Sequence, residues 1–372
     1  MLRKLILVAV STIVALLVGE VALRRFQRQS HFWGHGPLLH LQPPVNVYDP
    51  EIGWVLTPST VKSRHRLVGA NGAALFDVEY SISQGKRLTS YAAHSGPTIV
   101  ITGCSFTFGH ALDDHDTWPW LLQERLPDDN VVNVAAMGYG TDQALMAAER
   151  QVSRSPRGVG AVLLGFADFQ IERNRSSQDW LWRIYPAGKP LFVQSGSGVA
   201  MKGMVKFWSL GSAMDGIADH SVFFSRSMNL LTDRLIYRIP SYDEARLLTV
   251  ALITDFARRF QARGVPLLVV ALPNNLDPVR SHVGGPFMIR QLRAAGVPTL
   301  VPDFPQLSGG SWGSAWFNVV GHPTRLYNLV LADQVAPFVR RYVETASSQG
   351  RGAPGFNSSY RMESVGRDAV AR

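Results

Sequence analysis

The sequence predicts an α/β domain with a parallel central sheet and helices on both faces. Three observations carry this expectation. Short apolar runs alternate with amphipathic stretches from residue 97 onward, the runs are rich in β-branched residues, and helix-start and helix-stop residues separate them. Strands that are apolar on both faces and alternate with helices are typical of parallel three-layer sheets.

The first part of this pattern has the order β-α-β-α-β. Pro97 precedes the first strand, Gly103 ends it, and Pro119 suits the first turn of the helix that follows. The predicted elements are strands over 98–102, 131–135 and 159–165, with helices over 117–126 and from Thr141.

The same order returns after residue 241. Ser241 and Glu244 form a capping box in front of an amphipathic run to residue 263, and Gly264 is the stop signal. Further along, we predict strands over 266–272 and 297–301 and a helix over 289–295. Ligands bind at the carboxyl ends of the strands in such sheets.

Residues 175–240 interrupt the alternation and are predicted to be an insertion or lid over that edge. The segment is rich in Gly, Ser and Met and holds Trp180, Trp182, Tyr185 and Trp208. Such aromatic residues either pack ordinarily, which is the more common role, or form a wall on which a sugar stacks.

Composition and charge exclude several classes of protein. A chain of 372 residues with 46% hydrophobic and 17% charged residues is neither disordered nor fibrous. Its single cysteine excludes an intrachain disulfide framework and zinc modules that need several thiolates. The net charge of +9 lies partly beside an apolar N-terminal segment, so anionic lipid is a better explanation for it than nucleic acid, and we expect no nucleic-acid partner.

The two ends of the chain differ from its middle. Residues 5–23 hold one ionisable residue, Glu20, and a helix of this length nearly spans a hydrocarbon core of about 30 Å. A cleaved signal peptide is the rival interpretation, but no convincing small-x-small site stands just before Arg24 and Arg25, which favours an uncleaved anchor over 1–30. The polar segment 345–372 is predicted to be a disordered tail, which leaves 31–344 as the folded domain.

Ser105 follows the first strong strand, where a nucleophile at the carboxyl edge of the sheet would lie. The free backbone N–H groups of the following turn can stabilise a tetrahedral oxyanion there. Taken alone, a serine at this place is more often a turn cap than a nucleophile.

Four segments together resemble the bacterial SGNH/GDSL hydrolases. They are residues 48–54 (YDPEIGW), 103–109 (GCSFTFG), 133–143 (NVAAMGYGTDQ) and 321–323 (GHP), in the order that the family shows. The resemblance covers residues 48–340 and implies a flavodoxin-like three-layer α/β/α sandwich.

The resemblance also implies the roles of individual residues. Ser105 would be the nucleophile and His322 the general base, and Gly138 would lend its N–H to an oxyanion hole beside that of Ser105. A serine hydroxyl is a weak nucleophile until an imidazole accepts its proton, so the residue types suit the chemistry. The resemblance implies neither a cofactor nor a metal.

The acid of the triad is missing from its usual place. The family places it three residues before the histidine, where this chain has Val319. Either Asp303 replaces it, or a backbone carbonyl orients His322 and leaves a serine–histidine dyad.

An oxyanion donor is missing as well. The family commonly has Asn before Asp in its third block, whereas this chain has Ala167 before Asp168. Loss of such a donor costs about 100- to 1,000-fold in rate, so Gln170, Arg173 or Asn174 would have to replace it for good activity.

Cys104 and a histidine–aspartate cluster each allow two interpretations. Cys104 stands where the family has Asp and is either a thiol nucleophile or, more commonly for a lone cysteine, an apolar filler. His110 and His115 lie beside Asp113, Asp114 and Asp116, which indicates either a metal site or acidic residues that serve the dipole of the next helix.

These observations predict a single-pass serine esterase in a bacterial inner membrane. Its domain faces the extracytoplasmic, periplasmic side, because large downstream domains are translocated regardless of weak flanking charge. Its partner would be an acylated carbohydrate or lipid of the envelope, such as an O-acetyl ester. Two alternatives stay open: a polysaccharide-binding protein with little or no activity, and a lysophospholipase. The sequence leaves the oligomeric state undetermined.

Overall fold

The structure is a computed structural model of the chain. It describes residues 4, 11, 12, 14–22, 43–68, 72–155, 158–178, 180, 181, 188–196, 198–206, 221–274, 278–304 and 314–348.

Twelve strands form one large sheet and two hairpins in the described part of the chain. The strands are β1 (Asn46–Asp49), β2 (Gly53–Leu56), β3 (Val61–Val68), β4 (Ala74–Ser83), β5 (Lys86–Arg87), β6 (Thr98–Gly103), β7 (Asn130–Asn133), β8 (Val159–Phe166), β9 (Lys189–Ser195), β10 (Gly198–Val205), β11 (Leu267–Ala271) and β12 (Thr299–Leu300).

The large sheet has eight strands in the order β12-β11-β8-β6-β7-β5-β4-β3. Strands β12, β11, β8, β6 and β7 run parallel, as predicted. The pairs β7–β5, β5–β4 and β4–β3 are antiparallel. The predicted parallel sheet is therefore only part of the sheet: strands within residues 61–87, for which no strands were predicted, extend it on the β7 side and make it mixed.

Helices surround the sheet. They are α1 (Ser105–Phe108), α2 (Trp118–Arg125), α3 (Thr141–Arg154), α4 (Gln170–Asn174), α5 (Val222–Leu231), α6 (Tyr242–Gln261), α7 (Pro278–Ala294) and α8 (Arg325–Ser348), with a 3₁₀ turn at Asp114–Asp116 and a π-helical turn at Thr232–Tyr237.

The helix starts follow the predicted signals. The hydroxyl of Thr117 accepts the N–H of Trp120 at the start of α2, and Ser241 with Glu244 forms the predicted capping box of α6. Helix α7 begins earlier than predicted, at Pro278, and α8 continues to Ser348, beyond the predicted start of the tail at residue 345.

Alternate residues of the parallel strands pack into two apolar cores. In β6, Val100 faces the core that is covered by α3, α6 and α7, while Ile99 and Ile101 face the core that is covered by α2 and α8. This period of two is that of a strand buried on both faces, and the arrangement is the expected three-layer sandwich. The carboxyl ends of β6, β7 and β8 therefore open onto one edge of the sheet.

The predicted insertion is described in part. Strands β9 and β10 form an antiparallel hairpin, and α5 follows. Trp182, Tyr185 and Trp208 lie outside the described residues.

The predicted membrane segment is also described in part. Residues 11, 12 and 14–22 are helical, and the rest of 5–23 lies outside the described residues. Within the described residues, no helix has the length and apolar character that crossing a bilayer requires.

Candidate active site

Ser105 lies at the turn between β6 and α1. Gly103 has φ +154, and a Cβ there would lie 2.4 Å from Oγ1 of Thr107 and 2.7 Å from the carbonyl oxygen of Gly165. Only glycine therefore allows the chain to leave β6 this closely packed against β8. Cys104 is the N-cap, and Ser105 is the first residue of α1, with 6% of its surface exposed.

The structure brings His322 to this serine across 217 residues of sequence. Nε2 of His322 lies 3.0 Å from Oγ of Ser105, and Nδ1 lies 3.1 Å from the carbonyl oxygen of Val320. Since a carbonyl can only accept, Nδ1 carries the proton and Nε2 accepts from the serine hydroxyl. This is the arrangement in which a general base activates a serine.

The backbone carbonyl of Val320 occupies the position beside Nδ1 of His322 that the acid of a catalytic triad would take. Val319 is 55% exposed and Asp303 is exposed too. The backbone N–H of Asp303 donates to the side chain of Gln334, which in turn donates to the carbonyl oxygen of Asp303. Of the two alternatives for orienting His322, the contacts favour the backbone carbonyl.

Asn318 shapes the loop that presents this carbonyl, a role that the sequence analysis missed. Its Oδ1 accepts the N–H of Val320 at 3.1 Å and that of His322 at 3.0 Å. Asn commonly organises turns in this way, so its position four residues before His322 was a usable signal.

His322 is a neutral base at physiological pH. Its pKa is lowered to about 3, chiefly by burial; the hydrogen bond to Val320 acts in the opposite direction, and the nearby Arg173 and His65 contribute to the lowering. A desolvated imidazole disfavours the charged form, so Nε2 keeps its lone pair well below neutral pH.

Two more imidazoles stand beside His322. The ring centroid of His110 is 4.5 Å from that of His322, and His65 on β3 is 5.1 Å from His110. The hydroxyl of Tyr80 lies 3.1 Å from Nδ1 of His65 and 3.4 Å from Nδ1 of His110. Burial lowers the pKa of His110 well below its usual value. His65 and Tyr80 lie on strands that the apolar pattern of the sequence does not predict, so the sequence does not indicate them as site residues.

The acidic residues near His110 have structural partners. Asp114 pairs with the buried Arg87 at 3.0 Å and accepts the N–H of Ser81, while Asp116 pairs with Arg325. These contacts fasten the antiparallel strands and α8 to this loop. No group of three or more His, Cys, Asp or Glu residues in the described ranges is arranged to hold a metal.

Gly138 lies in the buried turn after β7, with φ +81. Residues 48–54 hold this turn, since the indole of Trp54 donates to the carbonyl of Met137 at 3.0 Å and the hydroxyl of Tyr139 donates to the carbonyl of Trp54 at 2.7 Å. Sδ of Met137 is 3.0 Å from Nδ1 of His110, which places the turn beside the imidazole cluster. The segment 48–54 thus supports the turn of the segment 133–143.

The three candidates for the missing donor have different surroundings. Asn174 accepts the N–H of Thr141 and donates to Thr249, so it anchors α3 to α6. Oε1 of Gln170 accepts the N–H of Ala167 at 2.8 Å, and its Nε2 is buried with no hydrogen-bond partner among the described residues. Arg173 donates to the carbonyl of Tyr139 at 3.0 Å.

Cys104 is a buried packing residue whose thiol lies beside Arg173. Its side chain is fully buried in the core beneath α2 and α8, and burial raises the pKa of its thiol. A raised pKa reduces the thiolate fraction, which is the reactive form. The imidazole of His322 contacts Oγ of Ser105, so the contacts favour the serine over the thiol as the candidate nucleophile.

No protein-family model matches the chain, and no curated protein matches it. Solved structures do match. The psychrotrophic esterase EstA from Pseudoalteromonas sp. is 13% identical, with 68% of this chain and 97% of that chain covered and a TM-score of 0.33. A lipase/acylhydrolase from Enterococcus faecalis is 12% identical, with 67% and 96% covered and a TM-score of 0.34.

A carbohydrate esterase family 2 enzyme from Corynascus thermopiles is 11% identical, with 72% of this chain and 71% of that chain covered and a TM-score of 0.32. Esterases and acylhydrolases are thus among the solved structures that this chain resembles, the kind of protein that its sequence motifs resemble.

Proposed function

We propose that this chain is a serine esterase that cleaves or transfers an acyl group through an acyl-Ser105 intermediate. The observation that carries the proposal is the 3.0 Å contact between Oγ of Ser105 and Nε2 of His322, together with the contact that fixes the His322 tautomer through Val320. A structural serine needs no oriented neutral imidazole.

The reaction follows from these contacts. As Oγ of Ser105 attacks the ester carbon, its proton passes to Nε2 of His322 and the carbonyl electrons move onto the carbonyl oxygen. When the tetrahedral intermediate collapses, the bond to the leaving alcohol breaks and His322 returns the proton to that alcohol. Water or a second hydroxyl then attacks the acyl-enzyme by the same route, which releases acid or a new ester.

The substrate class is an acylated carbohydrate or lipid of the bacterial envelope, with an O-acetyl ester as the simplest case. The apolar character of residues 5–23 supports an anchor in the inner membrane with the domain on the periplasmic side. A tethered enzyme acts on substrates that lie at or near that surface.

Hydrolysis of p-nitrophenyl acetate by the purified full-length chain tests the esterase. We expect turnover in the wild type that is lost in Ser105→Ala and His322→Gln. Ser153→Ala and His115→Gln are the matched controls, because Ser153 is exposed on α3 and the side chain of His115 is 62% exposed on the 3₁₀ turn. Both controls should hydrolyse the ester like the wild type.

The same assay separates the alternatives. A folded wild type that turns over no ester but binds acetylated polysaccharide contradicts the esterase and favours the binding protein. Preference for long acyl chains over acetyl in a series of p-nitrophenyl esters favours the lysophospholipase. Hydrolysis that persists in Ser105→Ala contradicts the assignment of the nucleophile.

A further inference from the structure

Arg173 is a buried cation without a carboxylate partner among the described residues. It is 8% exposed, and each of its polar contacts in that part of the chain is to a backbone carbonyl or a thiol. Burial lowers its pKa to about 10, so the guanidinium is still charged at neutral pH. Buried charges are usually paired, and an unpaired one at a site is a candidate for binding an anion.

Two aromatic rings contact the guanidinium of Arg173. Its carbon Cζ is 4.4 Å from the ring centroid of Phe169 and 4.5 Å from that of Trp180. Ring faces attract a cation without neutralising its charge. They therefore fix the position of the guanidinium and leave it able to attract an anion.

The polar contacts of Arg173 lie next to both backbone donors of the expected oxyanion hole. Nη1 donates to the carbonyl of Tyr139, which follows Gly138, and the guanidinium lies against the thiol of Cys104, which precedes Ser105. Phe169 and Phe106 connect Arg173 to His322. The ring centroid of Phe169 is 5.2 Å from that of Phe106, which is 5.4 Å from that of His322.

This chain lacks the asparagine that serves as an additional oxyanion donor in the SGNH/GDSL hydrolases, so another side chain would have to supply that contact. Ala167 has no side-chain donor, and Asn174 is bonded to Thr141 and Thr249. Arg173 combines a full positive charge with contacts to the residues that flank the two N–H donors.

We propose that Arg173 supplies the third oxyanion contact, so that its guanidinium stabilises the negative charge on the tetrahedral intermediate in place of the absent asparagine. This inference rests on the proposed attack by Ser105. In acylation, the electrons of the carbonyl π bond move onto oxygen as the bond to Oγ forms, and the guanidinium, already charged and in place, faces the oxyanion without losing or gaining a proton.

Titration with phenylboronic acid tests this without requiring ester turnover. Oγ of Ser105 adds to boron, His322 accepts the hydroxyl proton, and boron becomes a tetrahedral anion. We would measure adduct affinity in the full-length wild type, in Ser105→Ala, and in Arg173→Lys, Arg173→Gln and Arg173→Met, together with kcat and KM for p-nitrophenyl acetate and the thermal midpoint of each variant.

We expect affinity for the boronate and kcat to fall together by about 100- to 1,000-fold in Arg173→Met and Arg173→Gln, with little change in KM. Arg173→Lys keeps the charge and should lose about tenfold or less. Arg173→Gln is the decisive variant, because its amide can still donate to Tyr139 but carries no charge. Arg175→Gln, in which the lost guanidinium is paired with Glu172 and donates to Pro240, is the control and should behave as the wild type.

The proposal is overturned if Arg173→Gln keeps wild-type affinity, or if only KM rises, which indicates binding of the ground state. It is also overturned if the wild type forms no Ser105-dependent adduct. If that adduct forms and depends on Arg173 but no ester is turned over, the proposed function fails while this inference holds.

Discussion

The indole Nε1 of Trp54 donates a hydrogen bond to the carbonyl oxygen of Met137, the residue before Gly138, across 83 positions of sequence. This contact ties a strand near the start of the folded domain to the turn expected to form part of the oxyanion hole. The YDPEIGW motif therefore contributes to the site by holding that turn.

Replacing Trp54 with Phe should loosen the turn. The substitution keeps an aromatic ring in the core but leaves a buried carbonyl unpaired, which typically costs about 1–3 kcal/mol. We expect the free energy of unfolding to fall by that amount and kcat for p-nitrophenyl acetate to fall by about tenfold. Trp120→Phe removes the hydrogen bond of an indole to Glu124 within α2, a bond that does not involve the turn at Gly138, and should leave kcat unchanged. An equal loss of kcat in both variants would contradict the role of Trp54.

Asn318 should matter for turnover more than for binding. Asn318→Ala removes the acceptor for two backbone N–H groups and frees the loop that aims the Val320 carbonyl at His322. We expect kcat to drop by about tenfold or more with KM nearly constant, since orientation of a base acts on the reacting geometry. Kinetics of Asn318→Ala beside Asn130→Ala, at the sheet end remote from the site, check this; a rise in KM alone would speak against it.

Acid should destabilise the folded state through the buried histidines. The pKa values of His110 and His322 are lowered from 6.5, that of His322 to about 3. Below pH 6.5 the unfolded chain binds protons that the folded chain does not, so stability that is full above pH 6.5 is lost as the pH falls. Each such histidine contributes a slope of about 1.4 kcal/mol per pH unit.

Urea unfolding across this pH range measures the effect. His110→Gln should show a shallower loss of stability than the wild type, whereas His115→Gln, with its exposed side chain, should follow the wild type. A slope that is the same in all three proteins would show that His110 is not neutral in the fold.

The buried pair of Lys189 and Asp142 should be strongly coupled. Both side chains are fully buried, and they join the β9–β10 hairpin to the first turn of α3. Lys189→Met leaves an unpaired buried carboxylate, and such a loss costs about 3–5 kcal/mol. The double variant Lys189→Met/Asp142→Asn should recover much of that loss in urea unfolding; additive effects of the two single changes would contradict the coupling.

The parallel half of the sheet was predictable because its strands are buried on both faces. Unbroken apolar runs such as residues 98–102 and 159–165 indicate strands even when the neighbouring strands are unknown. The flanking Pro and Gly residues mark the ends of these runs. The antiparallel half was missed although Val78, Tyr80 and Ile82 in β4 alternate with polar residues. That strand has one face toward solvent, and its period-two signal is weaker than an unbroken apolar run.

The same contrast holds at the site. The order of the motifs predicts Ser105, Gly138 and His322 as site residues, because each sits at the end of a recognisable element or before a helix, and the structure brings Ser105 and His322 into contact. The contact of Val320 with His322 and the positions of His65 and Arg173 beside the site depend on which groups meet in space. Any residue type at position 320 would have a backbone carbonyl, so the side chain there does not indicate that this carbonyl binds His322. The sequence likewise does not indicate that the arginine at position 173 is buried without a carboxylate partner among the described residues.

Acylation of Ser105 is the most direct test of the esterase proposal. The full-length wild type, Ser105→Ala and His322→Gln would each be mixed with p-nitrophenyl acetate, quenched within the first turnover and mapped by peptide mass spectrometry. We predict one acetyl group on the peptide that contains Ser105 in the wild type, none in Ser105→Ala, and accumulation slowed by about 1,000-fold or more in His322→Gln. Acetyl on Cys104, or equal labelling in His322→Gln, would contradict the account.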